Sequence, residues 1–210
     1  MKNFALLLVL VLTCLSPTFA QTIEPPCWDG DIIIELAYSG DETLSLYNLP
    51  NGNGSTFAQA QLPDGTYVDA TISMTLFDCY GDPIPYYPAE DLWLESLDGG
   101  LTPCIAGTIP DENTDENGAT YWLEPLMAGG SSLEFCFAFV PGILVEEIPL
   151  PLLFNSADMN GDGVVNLSDI GMFSEIFFGT YNFSADFFRD GQMNIADVGR
   201  MALGVGATCP

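Results

Sequence analysis

A mainly β front module, an antiparallel β-sandwich, followed by a small α tail is the fold this sequence predicts, and three observations predict it. Val68, Ala70, Ile72, Met74 and Leu76 alternate with Asp69, Thr71, Ser73 and Thr75, the period-two pattern of a strand with one apolar face. Short apolar runs are punctuated by Pro50-Asn-Gly-Asn-Gly54, Asp64-Gly65, Gly81-Asp-Pro83, Gly99-Gly100, Asn117-Gly118 and Gly129-Gly130, the spacing of an all-β domain. Beyond residue 157 an Asp/Asn/Gly-rich loop recurs after 28 residues, and each copy leads into apolar residues at helical spacing.

Residues 1–20 have the layout of a secretory signal: Lys2, an apolar run from Phe4 to Leu15, then Pro17-Thr-Phe-Ala20 with small residues where cleavage is read. Residues 21–151 carry the β pattern and 152–210 the loop-helix tail. No later segment has the long apolar run of a transmembrane helix. The 29 acids against 3 bases, a formal charge of −26, exclude nucleic acid and anionic membrane surfaces as partners. Cys14 leaves with the signal, so Cys27, Cys79, Cys104, Cys136 and Cys209 remain. Secretion favours disulfides, and an odd count leaves one thiol unpaired or linked to another molecule. Cys79 and Cys136 both fall in strand-like segments and are the favoured pair. With no C-x-x-C spacing and no histidine, transition-metal chemistry is not expected.

In the front module further strands are predicted at Asp31–Tyr38, Thr43–Tyr47, Leu92–Glu95, Thr120–Glu124 and Leu133–Val140. Asp69-Ala-Thr-Ile-Ser-Met-Thr-Leu-Phe-Asp78, Gly81-Asp-Pro-Ile84 and Thr114-Asp-Glu-Asn-Gly-Ala-Thr120 resemble the bacterial Ig-like repeats of invasin/intimin-type surface proteins, over about residues 66–140. That resemblance implies an Ig-like sandwich serving as a spacer, adhesion or recognition module. Catalysis is not expected. Glu90-Asp91 beside Trp93 comes nearest to a glycosidase pair, but adjacent strand residues face opposite ways, and no histidine is present to activate a nucleophile. Trp28, Tyr86, Tyr87, Trp93, Tyr121 and Trp122 include candidates for an exposed platform, so polysaccharide binding is the alternative function.

The tail carries the sharpest chemistry. Asp158-Met-Asn-Gly-Asp-Gly-Val-Val-Asn-Leu-Ser-Asp169 places oxygen at positions 1, 3, 5, 7, 9 and 12 of a calcium loop: Asp158, Asn160, Asp162, the Val164 carbonyl, Asn166 and Asp169. Gly163 takes the sharp turn at position 6. The second copy offers Asp186, Asp190, the Gln192 carbonyl, Asn194 and Asp197, with Gly191 at the turn. Its position 3 is Phe188, which has no oxygen to give, so the first loop is the tighter expected site. An EF-hand needs an entering helix, which Ile148-Pro-Leu-Pro151 forbids. Leu167, Ile170, Phe173 and Phe177, then Ile195, Val198, Met201 and Val205, predict one helix after each loop.

Two tandem loop-helix units with Asp at position 12 and Asn at position 9 resemble the type I dockerin module, over about residues 155–206. The resemblance implies calcium binding and non-covalent docking onto a cohesin-like or other surface or scaffold protein. Partner-reading positions of the cellulosomal members hold Leu167, Ser168, Ser174 and Glu175 here, and Ile195 and Ala196 in the second unit, rather than hydroxyl pairs and bases. The aromatic run Phe177, Phe178, Tyr181, Phe183, Phe187 and Phe188 between the loops is expected to clamp the two units together.

Overall fold

The computed structural model describes residues 30–140, 143–144 and 149–210. The signal-like segment 1–20, Cys27 and Trp28 lie outside them. Within them the strands are β1 (Ile32–Leu36), β2 (Leu44–Asn48), β3 (Ala60–Gln61), β4 (Tyr67–Val68), β5 (Ile72–Leu76), β6 (Trp93–Ser96), β7 (Leu101–Pro103), β8 (Ala119–Trp122), β9 (Ala128–Gly130), β10 (Cys136–Val140), β11 (Ile143–Leu144) and β12 (Leu152–Ser156). Two α-helices follow, α1 (Leu167–Phe177) and α2 (Ile195–Gly204).

These strands form four small sheets, ordered β1-β5-β8, β11-β10-β6, β12-β2-β3-β4 and β7-β9. The alternation at 68–76 is divided between two sheets: Val68 ends β4, and only Ile72–Leu76 forms β5, whose Ile72, Met74 and Leu76 are buried while Ser73 and Thr75 are half-exposed. Its antiparallel partners are β1, with Ile34 opposite Met74, and β8, with Ile72 opposite Trp122. β2 is buried along its whole length because both of its faces are covered. Leu44 and Leu46 join Phe57, Met74, Leu94, Trp122 and Phe154 in the main core. Tyr47 and the following Leu49 belong to a second core with Ala157, Val165, Phe173, Phe187 and Met201.

The expectation of an Ig-like sandwich followed by a separate small helical module is therefore corrected. Strand outweighs helix by 29% to 17%, the sheets are several and small, and the tail contributes a strand. β12, placed by the sequence reading in the tail, pairs in parallel with β2, Leu152 opposite Leu44 and Asn155 opposite Tyr47. The physical reason lies in the second core: two short helices cannot bury enough apolar surface alone, and they complete it with Tyr47 and Leu49 of the β-body. Alternation identifies a strand face; it does not name the neighbouring strand.

The cysteine expectation is corrected as well. Cys104 is bonded to Cys209, 105 residues away, with their Cα atoms 5.6 Å apart. Cys79 is also disulfide-bonded. Cys136 is a free, fully buried thiol, because the inward side of β10 aims it into the main core and away from any bridge with Cys79.

Candidate calcium loops and the seam beneath them

The first loop begins where β12 ends. Asp158 is fully buried, its Oδ1 accepting from the Asp162 N–H at 3.2 Å and its Oδ2 from the Gly163 N–H at 2.9 Å. Asn160 Oδ1 accepts from the Asp162 N–H at 3.0 Å, and Asn160 Nδ2 donates to Asp162 Oδ2 at 3.0 Å. Asp162 Oδ1 accepts from the Val164 N–H at 3.0 Å, and the Val164 carbonyl accepts from Asn166 Nδ2 at 3.1 Å. Gly161 and Gly163 take φ of +67° and +84°, the left-handed region in which a Cβ is costly.

Asn166 and Asp169 start α1 as a reciprocal capping box. Asn166 Oδ1 accepts from the Ser168 N–H at 2.8 Å, and Asp169 Oδ2 accepts from the Asn166 N–H at 2.8 Å. The other oxygen of Asp169, Oδ1, accepts from the Met159 N–H at 2.9 Å, so this buried carboxylate ties the first turn of the helix to the start of the loop.

The second loop repeats the scheme. Asp186 Oδ1 and Oδ2 accept from the N–H groups of Asp190 and Gly191 at 3.2 and 3.0 Å. Asp190 Oδ1 accepts from the Gln192 N–H at 2.9 Å, and its Oδ2 from Asn194 Nδ2 at 3.2 Å. The Gln192 carbonyl faces Asn194 Nδ2 at 3.5 Å. Asn194 and Asp197 form the capping box of α2.

All eleven predicted positions thus fall on two matching turns that open the two helices. Burial raises the Asp158 carboxyl above the ordinary carboxylate value, and the charges of Asp169 and Asp162 add to the rise. Burial likewise raises Asp197, with the charge of Asp186 adding to it. Among the described residues no three or more His, Cys, Asp or Glu side chains gather as a ready metal cluster. The donor set of the first loop is mixed: three carboxylates, two amides and a main-chain carbonyl, all hard oxygens of the kind Ca²⁺ prefers. Its buried carboxylates are held by N–H groups and, among the described residues, by no cationic side chain, a setting that suits a divalent cation.

The seam under the loops went unnoticed in the sequence. Arg200 of α2 donates to the Phe187 carbonyl at 2.6 Å, and its guanidinium lies 4.5 Å from the Tyr47 ring centroid and 4.3 Å from that of Phe188. Arg189 donates to the Thr43 carbonyl at 2.9 Å, Gln61 Nε2 to the Phe188 carbonyl at 3.1 Å, and Asn155 Nδ2 to the Asp186 carbonyl at 2.9 Å. One signal was available: Arg189 and Arg200 are the chain's only bases besides Lys2, and both stand in the second unit.

The helices also frame an apolar groove of about 470 Å³ lined by Ile170, Phe173, Phe177, Val198, Met201 and Val205. Phe178 and Val205 of its lining are exposed. The aromatic run between the loops is divided: Phe183 and Phe187 are buried, while Phe178 and Tyr181 are exposed. In the β-body, Trp122 is buried with its indole N–H on the Thr108 carbonyl, and Trp93 stacks on Phe139 at 5.5 Å. Tyr86 and Tyr121 are exposed and Tyr87 is half-buried. Glu90 and Asp91 lie in a 3₁₀ turn leading into β6. No family model, no curated protein and no solved structure matches this chain.

Proposed function

We propose that this chain is a secreted, non-catalytic attachment protein whose loop Asp158–Asp169 binds Ca²⁺ and whose α1–α2 face docks onto a cohesin-like or other surface or scaffold protein. The observation that carries this reading is the double use of Asp169, loop position 12 and third residue of α1, whose two oxygens span the loop and the helix start. Ion binding at that loop would set the seat of α1, and α1 forms one wall of the exposed apolar groove. The groove supports docking because an apolar surface that includes exposed Phe178 and Val205 is what protein partners cover. The signal-like leader and the disulfides support secretion. The β-body then serves as spacer or recognition unit. Among the described residues no helix is long and apolar enough to cross a membrane.

The test is calorimetric titration of the mature chain with Ca²⁺, with Mg²⁺ as control, followed by capture from the secretome of the source cell in calcium and in chelator. Selective Ca²⁺ binding with calcium-dependent capture that Phe178→Asp and Val205→Asp abolish supports the proposal. Capture indifferent to both substitutions rejects the docking face.

Polysaccharide binding is a second reading, favoured by one recess of the β-body where exposed Tyr121 stands among Asp111, Glu112 and Glu124. A ring face beside hydrogen-bonding carboxylates is what a sugar takes. Retention on a glycan panel that Tyr121→Ala removes would select it, and no retention would exclude it.

A further inference from the structure

We propose that the second loop, Asp186–Asp197, is an ion-independent clasp that fastens the tail to the β-body, so that the chain takes one calcium ion and not two. This rests on the calcium reading of the first loop and limits it.

Positions that supply ligands or spacing in the first loop supply body contacts in the second. At position 3, Asn160 has its counterpart in Phe188, whose ring lies 4.3 Å from the Arg200 guanidinium and whose carbonyl accepts from Gln61 of β3. At position 4, Gly161 has its counterpart in Arg189, held at φ +48°. A non-glycine residue in that region is uncommon and needs surroundings that fix it. Here they do: Arg189 donates to the Thr43 carbonyl, lies 5.2 Å from the Phe183 ring centroid, and has its charge next to Asp186 and Tyr181. The position-1 carboxylate is also engaged differently. Asp186 Oδ2 accepts from the Tyr181 hydroxyl at 2.9 Å as well as from Gly191, whereas Asp158 Oδ2 accepts from Gly163. A ligand is missing, a guanidinium supplies positive charge inside the loop, and the loop's own carbonyls at Asp186 and Phe188 are bound by Asn155 and Gln61. Affinity for Ca²⁺ follows ligand number and charge, and this loop, with the same three carboxylates as the first, has one ligand fewer and the Arg189 charge set against Asp186.

The experiment uses the full mature chain. Calorimetry with Ca²⁺ should give one ion per chain, abolished by Asp158→Ala and retained by Asp190→Ala. Two ions, or one ion lost with Asp190→Ala and kept with Asp158→Ala, overturns the clasp. Amide hydrogen exchange of the unsubstituted protein in chelator supplies the second arm. The Phe187 and Gly191 amides should stay protected while those of Asp162 and Gly163 exchange, and loss of protection at Phe187 and Gly191 that Ca²⁺ restores overturns the clasp too. Absence of any Ca²⁺ heat, with Phe187 and Gly191 still protected, rejects the calcium reading of the first loop and the one-ion count while upholding ion-independent fastening by the second.

Discussion

Tyr47 of β2 and Arg200 of α2 hold the β-body and the tail together, the guanidinium 4.5 Å from the ring centroid. The same guanidinium covers Phe188 and donates to the Phe187 carbonyl, so one side chain bridges a strand, a loop and a helix. A partly desolvated cation–π contact contributes about 1–2 kcal/mol, and a charged hydrogen bond to a carbonyl about 1.5–3 kcal/mol. Arg200→Ala should therefore lower unfolding free energy by roughly 2–4 kcal/mol in urea. Arg200→Lys should recover under half of it, since an ammonium cannot lie flat between two rings. A loss below about 0.5 kcal/mol, the size of an ordinary surface change, would show that the seam does not depend on this residue.

Tyr47 gives the seam a pH dependence. Burial pushes its phenol well above the ordinary tyrosine value, with the Arg200 charge pulling the other way. The folded state therefore holds the neutral phenol. Its contribution is complete below the unfolded value of about pH 10 and is lost as pH rises from there toward the folded value. Stability should fall above about pH 10 with a slope of up to roughly 1.4 kcal/mol per pH unit from this group. Tyr47→Phe should flatten that slope. Tyr181, also raised to about 12 by burial and the Asp186 hydrogen bond, is half-exposed and serves as the comparison, with Tyr181→Phe changing the slope less.

Some local signals are legible in this sequence because they depend on near neighbours. The helices begin at Leu167 and Ile195, directly after Asn166 and Asn194, since a capping residue acts within three positions. The strand at Ile72–Leu76 follows from alternation alone. What was missed is set by residues far apart in the chain. Leu152–Ser156 reads as a short apolar run after two prolines, and it becomes a strand because β2 offers it a backbone edge. The sequence marks Phe188 as a missing ligand and as one of a clamping aromatic run but not as a contact with the β-body, because Gln61 stands 127 residues earlier. Cys209 gave no hint of Cys104, since disulfide pairing depends on where the fold brings two Cα atoms.

Gly129 on β9 lies directly against the first loop. A Cβ built there would come within 2.0 Å of Asp158 Oδ2, while the neighbouring Gly130 N–H donates to the Asp158 carbonyl at 2.7 Å. Gly129→Ala should displace the position-1 carboxylate, costing roughly 1–3 kcal/mol as overpacking does. It should also weaken Ca²⁺ binding about tenfold or more if loss of alignment costs 1.4 kcal/mol. Calorimetry on this variant, with Gly199→Ala as the comparison at a site with nothing within 4 Å, separates the close contact from a general glycine effect. Unchanged affinity would mean that Asp158 does not hold the ion.

The Cys104–Cys209 bridge closes the far end of the same structure. Its sequence separation of 105 makes the unfolded-chain restriction large, and a loop of that order is worth about 4–5 kcal/mol in the chain-entropy account. Cys209 also donates its N–H to the Gly163 carbonyl at 2.9 Å, and Thr208 pairs with Val164 in an isolated β-bridge, so these residues lie along the first loop. Replacing both cysteines by serine should therefore lower stability by roughly 2–5 kcal/mol. It should weaken Ca²⁺ at the first loop while leaving the protection of Phe187 and Gly191 in place. Cys136 provides the check that the variant is folded. Burial pushes its thiol far above the ordinary cysteine value, so an alkylating reagent should leave it untouched until denaturant is added. Labelling of Cys136 in the native double variant would show that losing the bridge opens the main core, and that the C-terminal tether supports the whole body, not the calcium loop alone.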